Sequence, residues 1–407
     1  MDAHLAFSGF LGTRLHLGVT GSIAAYKSLE LLRMLTSSGA AVGVTLTAAA
    51  REFVTPLAFS ALGADPVHTS MFGPEASSFA HLEPGQHARA LLVAPATATI
   101  LAKLAHGLAD DMLSCQALAF PGPILVAPAM NPRLWNAAAT RENLETLRRR
   151  GVRCIDPGCG SMACGETGEG RLADLRQIAL EAMRAVTSQD MAGRRVLVSL
   201  GPTQESWDCV RLWTNRSTGT MGAALAVAAW LRGAEVTAVC GPVSLWLPHG
   251  IARIDVTTAR EMFDACTAAW PDMDLGCLTA AVCDYRPEPF GPEKFKKTPG
   301  EAAGPTLALL ANPDILAHLG GCKKPGQRLI GFAAESSDLE ANARGKLARK
   351  NLDLVVANPV NEPGCGFGAA DNRALVLDSA GRIEEWPSLA KTEMAWRIWE
   401  WMLHLCA

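Results

Sequence analysis

Three side chains in the first half of the sequence are of types that could carry chemistry. They are His81 in Ser77-Ser78-Phe79-Ala80-His81-Leu82, Asn131 in Pro128-Ala129-Met130-Asn131, and Cys164 in Gly160-Ser161-Met162-Ala163-Cys164-Gly165-Glu166. An imidazole exchanges protons near neutral pH, an amide both donates and accepts hydrogen bonds, and a thiol can ionise. Singly, each has a plainer explanation: His81 as a surface loop residue, Asn131 as the N-cap before Pro132, Cys164 as an inert thiol. The second half carries anion chemistry. Lys294, Lys296 and Lys297 crowd into four residues, and Lys346 and Lys350 lie four apart on one helix face. Asp284 follows Ala280-Ala281-Val282-Cys283, placed for a ribose, base or metal contact, and Asn215-Arg216-Ser217-Thr218-Gly219-Thr220-Met221-Gly222 opens a helix with small and hydroxyl residues. Such a string either cradles an anion or simply caps the helix, and the lysines could equally be solvated surface charge.

The elements that must position these groups alternate in type. In the first half, strands are expected at 15–20, 41–47, 90–95 and 123–127, with helices over 25–38, within 99–120 and over 133–150. Strands separated by helices build a parallel sheet covered on both faces. Gly21, Ser22, Ile23 and Ala24 sit at the first strand-to-helix junction, Thr47 ends the second strand, and Pro95-Ala96-Thr97 ends a later one. These share the carboxyl edge of the sheet, where open α/β sheets bind ligands, so a phosphate-bearing cofactor is expected there. The Gly-rich stretch 157–170 is expected to be an irregular flap, neither helix nor strand. The pattern restarts near 188–193, with strands at 195–200, 235–240, 275–281, 328–333 and 352–357 and helices at 221–231, 259–270, 338–350 and 389–404. Segment 287–305, rich in proline and lysine, is expected to be a mobile loop. The halves show no mutual similarity, so the chain reads as a fusion of domain 1–190 with domain 191–407.

Bulk composition agrees with two cores. The chain has 407 residues, 49% hydrophobic and 19% charged, which suits large buried interiors and excludes disorder. A net charge of −3 gives no global field for nucleic acid or anionic membrane. The opening residues lack a signal-peptide pattern and no apolar run is long enough to span a bilayer, so a soluble cytoplasmic protein is expected. The 12 cysteines form no C-x-x-C pair. Cys154, Cys159 and Cys164, each five apart, have the wrong spacing for a zinc finger or ribbon and no histidine nearby, so they are read as thiols.

Together, the segments around His81, Asn131 and Cys164 resemble the flavin-containing cysteine decarboxylases, specifically phosphopantothenoylcysteine decarboxylase, over about residues 15–171. The resemblance implies a flavodoxin-like, doubly wound domain that binds FMN and forms trimers. FMN would contact Gly21, Ser22, Ile23, Ala24, Thr47, Pro95, Ala96 and Thr97. His81 would be the base, Asn131 would hold the substrate carboxylate, and Cys164 would donate a proton from the flap. Leu134 stands where the family pattern has Met, a volume-conserving exchange, and Asp110-Asp111 replaces a pair that carries one amide. The chemistry is coherent: a cysteine carboxylate has no neighbouring electron sink until the thiol carbon is oxidised, which a flavin can do.

From about residue 195 to 350, and more loosely to the end, the second half resembles the phosphopantothenate–cysteine ligases, a Rossmann-like α/β domain that activates a carboxylate with CTP as an acyl-cytidylate. The resemblance implies that Lys294 serves activation and that Asn215, Arg211 and Ala280 act around the acyl-cytidylate. Leu278, Thr279, Ala280, Asp284, Lys294, Pro313, Asp314, Ile315, Leu316, Phe332, Lys346 and Lys350 would contact CTP, with Mg2+ sharing the phosphate charge. Dimeric ligase units combined with trimeric decarboxylase units would close into a larger assembly such as a dodecamer. The expected function is therefore two steps of coenzyme A biosynthesis. One alternative keeps the ligase active beside a regulatory flavin module; another is a decarboxylase for a different cysteine-terminated substrate. A nicotinamide dehydrogenase would share the α/β pattern but needs a dinucleotide fingerprint that is missing.

Overall fold

The computed structural model describes residues 2–72, 79–162, 165–296, 306–335, 337–359 and 371–406. The chain divides into two compact units, residues 6–187 and residues 2–5 with 188–407.

The first unit holds strands β1 (Arg14–Val19), β2 (Ala41–Leu46), β3 (Val67–His68), β4 (Ala90–Ala96), β5 (Ile124–Pro128) and β6 (Arg153–Cys154). They form one sheet in the order β3-β2-β1-β4-β5-β6, every pairing parallel. Without the two-residue edge strand β3, this is the flavodoxin order, with its switch point between β1 and β4. The central strand β4 is apolar and buried at every residue because helices cover both faces. Leu91, Val93, Leu101, Leu113, Val126 and Leu144 make the core on one face.

The expected irregular flap is in fact a hairpin. β7 (Gly158–Ser161) pairs antiparallel with β8 (Thr167–Arg171). Its glycines carry no strand preference, so the sequence hides it; one of them is needed for close approach. A Cβ on Gly170, where φ is +128°, would stand 2.3 Å from the Met130 carbonyl oxygen. Met130 N–H donates to the Gly170 carbonyl at 2.9 Å, fixing the hairpin to the loop that follows β5. Cys164 lies outside the described residues.

The second unit contains β9 (Arg195–Leu200), β10 (Gln204–Ser206), β11 (Leu212–Thr214), β12 (Glu235–Cys240), β13 (Ile251–Asp255), β14 (Leu275–Leu278), β15 (Tyr285–Pro287), β16 (Leu309–Ala311), β17 (Arg328–Glu335), β18 (Leu354–Pro359), β19 (Asp371–Asp378) and β20 (Ile383–Ala390). Eight of them form a sheet ordered β13-β12-β9-β14-β17-β18-β19-β20. It is parallel as far as β18 and antiparallel beyond it. The sequence reading missed β19 and β20. Pro387 and Glu384-Glu385 disguise β20, which tolerates them as the edge strand. The final helix consequently starts at Lys391 instead of Leu389. The expected loop 287–305 is flanked by a short hairpin in which Tyr285–Pro287 pairs with Leu309–Ala311, and its residues 297–305 lie outside the described residues.

The Ala-rich helix Thr220–Leu231 is apolar all round and buried from Gly222 through Leu231. It packs on β9 and β12 and against the final helix Lys391–Cys406. Trp399 Nε1 donates to the Leu225 carbonyl at 2.9 Å across that contact. Among the described residues no helix is long and apolar enough to cross a membrane.

Two candidate functional sites

The carboxyl ends of β1, β2, β4 and β5 surround a cavity of about 960 Å³, within the range of cofactor sites. Gly21, Ser22, Ile23, Ala24, Thr47, Thr97 and Asn131 all line it. Pro95 and Ala96 do not; they hold the rim. Thr20 Oγ1 donates to the Pro95 carbonyl at 2.7 Å and accepts from Thr97 N–H at 3.1 Å, clamping β1 to β4 at the switch point. Ser22, Thr47 and Thr97 each cap the helical turn that follows, accepting from Ala24, Ala50 and Ile100 N–H. The cavity is thus rimmed by hydroxyls and helix starts, which suit a phosphate. Gly21 lies against Ala49, where a Cβ would come within 2.4 Å.

Asn131 serves two purposes. Its Oδ1 caps the turn at Arg133 N–H (2.8 Å), and its Nδ2 donates to Glu166 Oε2 (2.7 Å). Glu166 also pairs with Arg133 at 2.6 Å, and Trp135 Nε1 donates to Glu169 at 3.1 Å, so the hairpin is held over the cavity by its acidic residues. Lys103 and Asp111 line the cavity as well, and the sequence reading gave them no role. Lys103 Nζ lies 2.7 Å from Asp110 and 2.6 Å from Asp111. Hydrogen bonds to Asp110 and Asp111 raise the Lys103 pKa above the usual lysine range. Burial pushes the Asp111 carboxyl up, but the Lys103 bond and the Ser114 contacts outweigh it and leave its pKa lowered. Asp111 also forms a capping box with Ser114, and the D-x-x-S spacing was the available sequence signal.

His81 does not line this cavity. It is half-buried and precedes the helix Glu83–His87. A buried relay anchors its neighbour. His16 Nε2 lies 2.7 Å from Thr45 Oγ1, Thr45 Oγ1 donates to Gln116 Oε1 (2.6 Å), and Gln116 Nε2 donates to the Ala80 carbonyl (3.0 Å). The carbonyl at one end fixes the direction throughout, so His16 must be the Nε2–H tautomer. Burial, with the charges of His68 and Arg14, lowers its pKa to about 3, so the imidazole stays neutral.

The second unit has a cavity of about 390 Å³ beyond the ends of β14 and β17. Asn215, Leu278, Thr279, Ala280, Asp284, Pro313, Asp314, Ile315, Leu316, Phe332, Lys346 and Lys350 all line it. Gly222 lets the helix start approach: a Cβ there would stand 2.3 Å from Thr279 Oγ1 and 2.5 Å from Leu200 Cβ. Asn215 Nδ2 donates to the carbonyls of Ala281 and Val282 at 3.2 and 3.1 Å, tying the Ser/Thr-rich loop to the strand end. Lys346 Nζ donates to the Phe332 carbonyl at 2.6 Å, and burial followed by the Lys350 charge lowers its pKa. Lys350 pairs with Asp314 at 2.9 Å. Against desolvation, the Ala317 N–H bond and Lys350 keep the Asp314 pKa below the usual range.

Arg211 and Lys294 lie elsewhere. Neither lines the second cavity, and Lys294 is exposed. Arg211 sits over the rings of Trp207 and Phe295, pairs with buried Asp208 at 2.8 Å, and donates to the Phe295 carbonyl at 3.3 Å. Asp208 also accepts from Val210, Arg211 and Phe295 N–H, so one carboxylate organises the whole patch. Cys154 is half-buried and Cys159 exposed, and among the described residues no cluster of His, Cys, Asp or Glu could hold a metal ion.

Two family models match the chain: "Flavoprotein" over residues 11–186, and the DNA/pantothenate metabolism flavoprotein C-terminal domain over residues 191–405. The coenzyme A biosynthesis bifunctional protein CoaBC of Escherichia coli (strain K12) is 43% identical, covering 90% of this chain and 90% of that protein. The protein of the same name from Bacillus subtilis (strain 168) is 42% identical, covering 93% of this chain and 94% of its own. A solved structure titled as the FMN-dependent cysteine decarboxylase SpaF is 32% identical over 44% of this chain and 98% of that one, with a TM-score of 0.35. With both halves matched in order and relatives similar along nine-tenths of its length, the chain belongs to the coenzyme A biosynthesis bifunctional CoaBC family.

Proposed function

We propose that this chain joins cysteine to 4′-phosphopantothenate in its second unit, consuming CTP through an acyl-cytidylate, and decarboxylates the product to 4′-phosphopantetheine in its first, working in the cytoplasm. The observation that supports this most is convergence. Segments far apart in sequence, at 21–24, 47, 97 and 131, meet on one large cavity, and segments at 215, 278–284, 313–316, 332, 346 and 350 meet on another.

The first cavity fits FMN. The hydroxyls of Ser22, Thr47 and Thr97 and the helix starts beside them suit its phosphate, and Ile23, Met130, Leu134 and Leu172 offer apolar surface to a ring system. Bound there, FMN supplies a two-electron sink for the carbon bearing the substrate thiol. Asn131 orients the substrate carboxylate. Its place beside the hairpin puts it where Glu166 and Gly170 hold the cover that excludes water. His81 takes the thiol proton and Cys164 returns one. Because His81 is outside the cavity of its own unit, we assign it to the cavity of a second copy, consistent with a trimer. Mixing inactive His81→Asn protein with inactive Asn131→Ala protein should then restore part of the activity. Mixtures as dead as their components would refute the sharing.

In the second cavity, Lys346, Lys350 and the helix start at Ser217–Thr220 neutralise phosphate charge, while Phe332 and the Ala280 backbone bracket the base. Mg2+ carried in with the CTP phosphates would find the carboxylates of Asp284 and Asp314 on the cavity wall. Arg211 and Lys294 do not line this cavity, and Lys294 would serve the activation step in a cavity to which it is brought by a second copy or by loop movement.

Purified protein should be yellow. Given 4′-phosphopantothenate, CTP, cysteine and Mg2+, it should release pyrophosphate and CMP and yield 4′-phosphopantetheine by mass spectrometry. A flavin-free protein would end the decarboxylase reading, and CMP release indifferent to cysteine would end the ligase reading.

A further inference from the structure

One end of the second cavity is built from residues to which neither the family resemblance nor the reading above gives a role. Asn358 stands near the end of β18, Asn372 near the start of β19, and Lys391 at the start of the final helix. All three are buried, at 9%, 8% and 6% exposure. Among the described residues Lys391 makes no hydrogen bond or ion pair, and burial lowers its pKa against the weak opposing influence of Asp371. The Asn372 Oδ1 is buried with no partner among the described residues. Asn358 Nδ2 donates to the Arg373 carbonyl at 2.7 Å. The ladder is irregular between Asn372 and Ala374, and such bulges re-aim side chains at functional sites.

An ammonium on a buried side chain with no ion pair among the described residues, and a buried amide oxygen with no donor among them, are both unfavourable unless a ligand completes them. The two groups ask for opposite partners. A phosphate would answer the lysine and leave the amide oxygen unpaired. A zwitterion answers both.

We infer that the Asn358–Asn372–Lys391 end of the cavity is the subsite for the α-amino acid nucleophile, with Lys391 holding its carboxylate and Asn372 accepting from its amino group. This deepens the ligase reading and rests on it. The amine, held at the cavity wall, faces an acyl-cytidylate anchored by the lysines of the helix Leu339–Arg349 and its end. The C–N bond forms as the acyl C–O bond breaks, CMP leaves with the electron pair, and the ammonium's two surplus protons pass to water.

The test compares L-cysteine with cysteamine, which has the same thiol and amine but no carboxylate. Wild-type protein should favour L-cysteine, read as the ratio of kcat/KM values for CMP release. In Lys391→Met that ratio should fall on the order of tenfold or more, the scale of a charge-assisted contact. Pyrophosphate released before any amine is added should be unchanged, which shows that the fold and the activation step survive. Asn372→Leu should raise KM for both amines and leave the ratio alone. If Lys391→Met has lost the pyrophosphate step, the ratio is read on Lys391→Gln instead, with the same expectation. A preference for L-cysteine that survives removal of the lysine overturns the subsite. Wild-type protein that releases no pyrophosphate overturns the ligase reading itself, and the subsite with it.

Discussion

Replacing Thr45 with valine keeps the shape of the side chain and deletes one hydroxyl. That hydroxyl is the centre of the relay from His16 to the Ala80 carbonyl, and Thr45 is fully buried. The substitution strands two groups, the His16 Nε2–H and the Gln116 Oε1, where water does not reach. At about 1–3 kcal/mol for each buried group left unsatisfied, the loss should be about 2–6 kcal/mol. Valine fills the same volume, so no cavity contributes to that figure. Hydrogen exchange of peptides from β1 and β2 in the full chain measures it directly as a fall in opening free energy. Thr45→Ser, which keeps the hydroxyl, should lose clearly less. The relay also ends next to His81, so decarboxylation per folded molecule should fall in Thr45→Val while CMP release in the second unit does not change. A loss below about 0.5 kcal/mol would show that the relay is not coupled to stability. A normal decarboxylation rate in folded Thr45→Val would show that it does not position His81.

Acid should destabilise the first unit by a related route. His16 is neutral when folded, with a pKa of about 3, and takes up a proton at the ordinary histidine value of 6.5 when unfolded. Its contribution is complete above the unfolded value and is lost as pH falls from there toward about 3. Stability at pH 5.5 should thus be about 1.4 kcal/mol lower than at pH 7.5 from this group alone, a slope that His16→Gln should flatten in the same exchange experiment. Gly170→Ala would drive a Cβ into the Met130 carbonyl and should lower decarboxylation at least about tenfold by displacing the hairpin, with CMP release intact. Gly222→Ala should do the reverse, because its Cβ collides with Thr279 Oγ1 and Leu200 Cβ beside the second cavity: CTP-dependent pyrophosphate release should collapse while decarboxylation of supplied substrate continues. Equal effects of either glycine change on both reactions would contradict the separation of the two sites.

What the sequence revealed and what it hid divide along physical lines. Central parallel strands were legible because burial on both faces makes them continuous apolar runs, as in Ala90–Ala96. The cavity-lining turns at Ser22, Thr47 and Thr97 were legible because a strand followed by a hydroxyl N-cap is a local pattern. The hairpin Gly158–Ser161 with Thr167–Arg171 was not, since what makes it a hairpin is close approach to Met130, a contact no window of sequence contains. Strand Ile383–Ala390 hid behind its proline and glutamates, which only its edge position permits. His81 stood out in the sequence as a candidate base, but its place outside the cavity of its own unit did not. Asn358, Asn372 and Lys391 are unremarkable in sequence, being far apart and without a pattern; burial singles out all three, and among the described residues the Lys391 ammonium and the Asn372 Oδ1 have no partner.

The all-apolar helix Thr220–Leu231 bears on how the second unit is made. Its covering partner is Lys391–Cys406, which includes Trp399 bonded to Leu225. During synthesis some 160 further residues must leave the ribosome before that cover exists, close to ten seconds or more at ordinary elongation rates. Until then the helix presents bare alanine, valine and leucine on a side the sheet cannot reach. The nascent second unit therefore exposes an apolar helix face throughout that interval, and a premature stop upstream of residue 391 removes the helix that covers it.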